Sequence, residues 1–109
     1  MFKKSADNSY KKVLPGIQIT TTVYGEKTLM TEFIMKAGSA LPSHKHPHEQ
    51  TGYLVSGNIK LTIGDQSYDV NPGDSWSIPA DMEHNAEIIA DSTAIEVFAP
   101  LREEYIEFA

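Results

Sequence analysis

The sequence predicts an all-β, barrel-like domain. Short apolar runs follow one another along the chain, and in most of them apolar and polar residues alternate with the two-residue period of a half-buried strand. Gly and Pro break these runs at spacings of roughly 8 to 12 residues, which is typical of a sandwich or a barrel. The 3.6-residue apolar period of a helix is missing, apart from a weak turn at "LREEYIEF" near the C-terminus.

Composition narrows the possible partners and chemistry. The chain has 109 residues and a net charge of −6, so it lacks the basic surface that nucleic acid or an anionic membrane would need. It contains no cysteine, which excludes disulfides, thiolate metal sites and cysteine nucleophiles. The N-terminus has two Lys pairs with no apolar run behind them, and no later segment is long enough to span a membrane. We therefore expect a cytoplasmic protein.

The first third of the chain is predicted to hold a polar N-terminus and two strands. Residues 1–12 are expected to be a flexible tail or a swapped edge strand, and residues 13–109 a single barrel. The two strands are "GIQITTTVYG" and "KTLMTEFIM". Their predicted inward-facing residues are Ile17, Ile19, Thr21 and Val23 in the first, and Leu29, Thr31, Phe33 and Met35 in the second. Since small barrels manage their edges by pairing, we expect a homodimer, with the first strand as its candidate interface.

The remaining elements are read from turn residues. "KAGSALPSHKHP" is a loop, and "EQTGYLVSG" is a strand that is predicted to end at Gly57. "NIKLTIG" and "QSYDV" form a predicted hairpin around a Gly-Asp turn. "NPGDSWSIPADMEHNAEII" contains a turn, a strand, a Pro-broken loop and a further strand, and "STAIEVFAP" is the last strand.

Three of the four histidines fall in "SHKHPHEQ". His44 and His46 are two apart, so in an extended segment both imidazoles face the same side. Gln50 opens the next strand in phase with its inward positions, and His84 opens a distant strand. Imidazoles converging in this way are typical of a transition-metal site, which is predicted from His44, His46, Gln50 and His84. The alternative is a polar surface loop and an ordinary strand histidine.

His48 and Glu49 are weaker candidates. Pro47 restricts His46 to an extended conformation and interrupts the alternation after it. His48 is expected at the rim of the site or behind a ligand, and the alternative is a fifth metal ligand. Glu49 and Gln50 are adjacent, and only one can face inward from a regular strand. The phase with Leu54 favours Gln50.

These segments resemble a small single-domain cupin. The first cupin motif matches at Gly38, His44, His46 and Gly57, with Gln50 where Glu is usual. The second matches at Gly73, Pro79 and His84, with Asp81 in place of Gly and Ile88 in place of Asn. The resemblance implies a double-stranded β-helix, which is a jelly-roll-like barrel, with one divalent metal (Zn, Ni, Fe, Mn or Cu) on the four predicted ligands.

A narrower resemblance is to the pectin-degradation cupins of the KdgF type. It rests on "HPHEQ", "VSG", "PGDSWSIP" and "EVFAPLREEY". It implies an isomerase that converts a 4,5-unsaturated uronate to its linear keto form, with the family's C-terminal pocket residues falling on Glu96, Phe98 and Arg102. Glu96 replaces the family's Asp, which lengthens the side chain by one methylene.

The C-terminal residues leave structural and functional alternatives open. Glu96 shares strand parity with Phe98, so it either faces the interior as a general acid/base or lies outside with Ile95 and Val97 inside. Arg102 either clamps the carboxylate of a small-molecule substrate or forms a surface ion pair with a neighbouring glutamate. The rival functions are a metal-dependent oxygenase and a non-catalytic binding module.

Overall fold

The computed structural model describes all 109 residues, and its eight strands join into one continuous antiparallel sheet. The strands are β1 (Lys11–Leu14), β2 (Ile17–Tyr24), β3 (Leu29–Met35), β4 (Ala40–His44), β5 (Glu49–Ile63), β6 (Gln66–Val70), β7 (Ser75–Ile78) and β8 (His84–Ala99). Two short 3₁₀-helices, Ser5–Asp7 and Glu103–Phe108, flank them. Neither approaches the length and apolar character of a membrane-crossing helix. The all-β prediction is confirmed, and the architecture is that of a cupin β-barrel.

β5 and β8 are the long central pair on which the barrel is built. The first half of β5 pairs with β7 and its second half with β6, while β8 pairs with β4 near its start and with β3 near its end. The sequence predicted each of these strands as two. In particular, the prediction that a strand ends at Gly57 is wrong, because β5 continues through it to Ile63.

Gly57 is the point where β5 bends instead of ending. Its φ is +95°, which favours glycine, and a Cβ there would lie 2.1 Å from Ser92 Oγ. The register between β5 and β8 shifts on both sides of Ser56 and again after Asn58. The Ser92 hydroxyl accepts a hydrogen bond from Asn58 N and donates one to Ala90 O. The bulge therefore redirects both strands without ending either.

The inward faces of the strands form one apolar core. The predicted faces of β2 and β3 are correct, with every second residue of β3 buried and Ile17 and Ile19 fully so. The core cluster consists of Ile17, Ile19, Phe33, Met35, Leu54, Ile59, Leu61, Val70, Ala86, Ile88 and Ala94. It fills the barrel behind the residues described below.

The N-terminal residues sit along the edge of the sheet. β1 pairs with β2 from Lys11 onward, and Lys3 donates a hydrogen bond to Thr21 O. The boundary between residues 12 and 13 stays a prediction. β2 is paired with β1 on one side and β3 on the other, so the predicted interface strand offers no free edge to a second chain.

Candidate metal centre and pocket

Three histidines from two distant segments meet at one end of the barrel. His44 ends β4 and His84 opens β8, and these two residues are direct partners in the sheet. His46 lies two residues further on and is 8% exposed. The ring centroids of His44 and His84 are 4.2 Å apart, those of His46 and His84 are 5.1 Å apart, and one ligand atom from each of the three lies within 4.8 Å of the others.

The backbone selects the same tautomer for all three imidazoles. Nδ1 of His44 lies 2.8 Å from Pro42 O, Nδ1 of His46 lies 3.0 Å from His48 O, and Nδ1 of His84 lies 2.8 Å from Met82 O. A carbonyl can only accept, so each Nδ1 carries the proton and donates it. Each Nε2 therefore keeps its lone pair. This is the arrangement in which histidine binds a metal.

Burial keeps two of the imidazoles neutral. Removal from water, helped by the positive charge of Arg102, lowers the pKa of His46 to about 4. Burial also lowers the pKa of His84. A neutral imidazole is the form that can donate a lone pair, so these two rings are ready to bind a cation near neutral pH.

Gln50 adds an amide oxygen to the group of candidate metal ligands. It is 4% exposed and lies early in β5, between Ile78 of β7 and Phe98 of β8. Its Nε2 donates to Glu96 Oε2 at 2.8 Å, whereas its Oε1 has no hydrogen-bond partner. A buried amide oxygen without a partner is costly, which indicates that it has a partner outside the chain.

These orphaned atoms are the test of whether the site fits a metal, and the residues present do fit one. Nε2 of His46, Nε2 of His84 and Oε1 of Gln50 are all buried without a partner. Three nitrogens and one oxygen suit a divalent transition ion, without selecting which one. Because the amide is uncharged where a Glu ligand would carry −1, an ion held by these four residues would keep its full double charge.

Glu96 lies on the interior side, next to Gln50. It lines the same pocket as His44 and Phe98, which resolves the question of its orientation, while Ile95 and Val97 do not line the pocket. Its Oε1 accepts a hydrogen bond from Trp76 Nε1 at 2.8 Å. Burial raises the pKa of Glu96 to about 7, although the Trp76 and Gln50 donors oppose the shift.

Arg102 covers the pocket from the C-terminal segment. Its guanidinium carbon lies 4.2 Å from the centroid of the Tyr105 ring and 5.3 Å from that of Phe98, which are cation–π distances. Phe98 in turn packs edge-on against His46, with ring centroids 5.8 Å apart. The sequence left Arg102 as either a surface ion pair or a pocket residue. In the structure its Nε pairs with Glu104 and the side chain also lines the pocket.

The pocket is mostly apolar and small. Its volume is about 60 Å³, and His44, Gln50 and His84 line it together with mostly apolar side chains. His48 contributes its backbone carbonyl to His46 rather than its ring, and Glu49 is exposed, as the alternation predicted. Trp76 and Tyr105, to which the sequence analysis assigned no part in the site, also line the pocket.

Sequence comparison places this barrel among known proteins. The model of the family described as "Cupin domain" matches residues 31–99. The chain is 29% identical over 94 residues to the H2HPP isomerase of Bacillus subtilis, covering 84% of this chain and 40% of that protein. It is 28% identical over 78 residues to Polyketide synthase CurC of Streptomyces cyaneus, covering 71% of this chain and 51% of that protein. The chain thus spans only about half the length of these curated relatives.

Solved structures also match nearly the whole chain, and two of them are particularly similar in fold. KdgF from Halomonas sp. has a TM-score of 0.91 and 25% identity, covering 95% of this chain and 98% of that one. An RmlC-like cupin from Shewanella frigidimarina also has a TM-score of 0.91, with 20% identity, covering 95% of this chain and 94% of that one. The second likeness concerns the fold alone.

Proposed function

The chain belongs to the cupin domain family, and on that premise we propose that it is a metal-dependent isomerase that converts a 4,5-unsaturated uronate to its linear keto form. The observation that carries the proposal is the convergence of three imidazoles beside a pocket that the Gln50 amide, the Glu96 carboxyl group and the Arg102 guanidinium line. The likeness to KdgF from Halomonas and to a Bacillus isomerase supports this class of reaction.

Arg102 is the group we assign to the substrate carboxylate. Its ion pair with Glu104 uses Nε, which leaves the terminal nitrogens of the guanidinium for a bidentate contact. The guanidinium lies within cation–π distance of the Phe98 and Tyr105 rings, so little side-chain freedom remains to be lost on binding. The net charge of −6 makes this cation important, since the rest of the protein repels an acid.

Glu96 is the group we assign to proton transfer. A pKa of about 7 lets one carboxyl group accept and return a proton near neutral pH. It takes the proton of the O1 hydroxyl as the C1–O5 bond breaks, which leaves an aldehyde at C1 and an enolate at O5. It then delivers that proton to C4, and the enolate becomes the C5 ketone. No atom and no electron is gained or lost, so no oxidant is required.

The remaining residues set the environment of this transfer. His44, His46, His84 and Gln50 would hold the metal. When bound, that ion supplies a Lewis acid that stabilises negative charge on a sugar oxygen. The apolar walls exclude water, which strengthens each of these electrostatic contacts.

Turnover is the test of the proposal. Loss of the unsaturated uronate is followed by ultraviolet absorbance for wild type, His44→Ala, Glu96→Gln and Arg102→Ala. We expect no turnover by His44→Ala or Glu96→Gln, and a raised KM for Arg102→Ala. Lys60→Ala, an exposed basic residue of β5 outside this pocket, is the matched control for loss of a positive charge. Metal-loaded protein without turnover would overturn the proposal and favour an oxygenase or a binding module.

A homodimer is the assembly that we propose for this enzyme. Outward-facing apolar side chains on β3 and β5 remain exposed in the single chain, namely Met30, Ile34, Tyr53 and Val55. Such a surface is usual for a sheet that packs against a second copy. Sedimentation at micromolar concentration tests this directly, and a monomer would contradict it.

A further inference from the structure

We propose that Trp76 and Glu96 act as positioning residues that determine which end of the Gln50 amide faces the three imidazoles. The inference rests on the proposed function only in that it takes the imidazoles to be metal ligands. It assigns Glu96 a task that is separate from proton transfer. It also gives Trp76, whose indole N–H bonds to Glu96, a part in the metal site.

The side-chain amide of Gln50 has two nearly isosteric ends with opposite roles. Its oxygen can donate a lone pair to a cation, and its NH₂ group cannot. An ionised carboxylate accepts hydrogen bonds and donates none, so in its ionised form Glu96 bonds only to the NH₂ end. That bond, 2.8 Å from Nε2 to Glu96 Oε2, leaves Oε1 buried without a partner. Glu96 therefore keeps the ligating atom free for a cation.

Trp76 determines which oxygen of Glu96 is available. The indole N–H is a donor only, and it occupies Oε1 of Glu96 at 2.8 Å. Oε2 then remains for Gln50. The hydrogen bonds run in one direction, from Trp76 and from Gln50 into the carboxylate, with no atom free to reverse its role.

The sheet holds these groups in register. Trp76 of β7, Gly52 of β5 and Glu96 of β8 are neighbours across three strands. The indole lies directly over Gly52, where an added Cβ would be 2.1 Å from Trp76 Cε2. Gln50 precedes Gly52 by two residues and therefore lies on the same face of β5. The missing side chain at Gly52 is what lets the indole reach Glu96.

Glu96→Gln tests this orientation most sharply. The amide oxygen of the new glutamine accepts the bond from the indole N–H. The NH₂ group of the new glutamine then faces Gln50 and donates to Gln50 Oε1. The wrong end of Gln50 then points at the imidazoles. Titration calorimetry of metal-free protein with Zn²⁺ should show binding about 10- to 100-fold weaker than in wild type. Glu49→Gln, an exposed acid one residue before Gln50, removes the same charge and should bind as wild type does.

A second substitution should restore the binding that the first one weakens. In Trp76→Phe/Glu96→Gln the indole donor is gone, so the new amide is free to turn its oxygen toward Gln50 Nε2. Gln50 Oε1 then returns to the imidazoles, and we expect Zn²⁺ affinity within a few-fold of wild type. A purely structural role for Trp76 predicts the opposite, because the double variant would bind more weakly than the single one. Thermal unfolding of each variant establishes that it is folded.

The outcomes separate this inference from the proposed function. Equal Zn²⁺ affinity in Glu96→Gln and wild type would overturn it, as would a double variant weaker than the single one. Wild type that binds no Zn²⁺ would overturn it too, since Gln50 would have no cation to face. Zn²⁺ binding with the predicted rescue but no uronate turnover would overturn only the proposed function.

If a variant does not fold, the single tryptophan of wild type provides another measurement. Its indole N–H should exchange slowly with solvent, and fast exchange would contradict the bond to Glu96.

Discussion

Gly52→Ala tests how closely the indole of Trp76 is packed. The added Cβ would lie 2.1 Å from Trp76 Cε2 and 2.3 Å from Nε1, whereas ordinary contacts begin near 3.4 Å. The ring must therefore withdraw by about 1 Å, and the 2.8 Å hydrogen bond to Glu96 is lost with it. The φ of Gly52 is not in the left-handed region, so alanine fits the backbone there. The cost of Gly52→Ala is therefore steric.

The expected destabilisation follows from three contributions. Overpacking costs about 1–3 kcal/mol, and losing a hydrogen bond to a charged group costs about 1.5–3 kcal/mol. Alanine recovers about 0.4–1 kcal/mol by restricting the unfolded chain. A net loss of about 1.5–5.5 kcal/mol should lower Tm by roughly 6 °C or more for a domain of this size.

Thermal unfolding followed by circular dichroism measures the effect, with Gly25→Ala as the matched control. A Cβ at Gly25 meets nothing within 4 Å, so that variant should be as stable as wild type or slightly more stable. Fluorescence of the single tryptophan should also change in Gly52→Ala, since the indole moves. A Gly52→Ala protein with the Tm of Gly25→Ala would refute the packing described here.

Three further predictions concern the metal, the substrate and pH. Zn²⁺ at 100 times its Kd should stabilise wild type by about 2.7 kcal/mol, and His84→Ala should lose this response in a thermal shift assay, whereas an unchanged shift would place the metal elsewhere. Arg102→Ala should raise KM for the uronate by about 10- to 100-fold, with Arg102→Lys in between, and an unchanged KM would remove Arg102 from the carboxylate site. In metal-free protein the pKa of His46 is lowered from 6.5 to about 4, so its contribution to stability is present above pH 6.5 and is lost as pH falls through 4. The pKa of Glu96 is raised from 4.5 to about 7, so its contribution is present below pH 4.5 and is lost as pH rises through 7. Urea unfolding across this range should show that Glu96→Gln removes the second slope and leaves the first, and an unchanged profile would contradict the shift.

Local patterns in the sequence were enough to predict much of the barrel. The alternation in β2 and β3 places Ile17 and Phe33 inside, as the structure has them, because one face of each strand is apolar. The spacing of His44 and His46 likewise predicts two imidazoles on one side. These features depend on residues close together in the chain.

Features that depend on pairing between distant strands could not be predicted. Nothing near Gly57 indicates that β5 continues, since the bend requires Ser92 of β8 as its neighbour. The orientation of Glu96 was undecided because β8 carries apolar residues on both faces. The bond from Trp76 to Glu96 needs β7 and β8 to flank Gly52 in a particular register. The one signal for this contact in the sequence was a glycine, Gly52, on the inward face of a strand, together with a tryptophan that could pack over it from a paired strand.

Turnover without oxygen tests the central claim most directly. Metal-free protein is prepared with a chelator, reloaded with Zn²⁺, Ni²⁺, Fe²⁺, Mn²⁺ or Cu²⁺ in separate samples, and given the unsaturated uronate under anaerobic conditions. The account predicts that at least one reloaded sample consumes the uronate and that the metal-free sample does not. Consumption by the metal-free sample, or by none of the loaded samples, would contradict it.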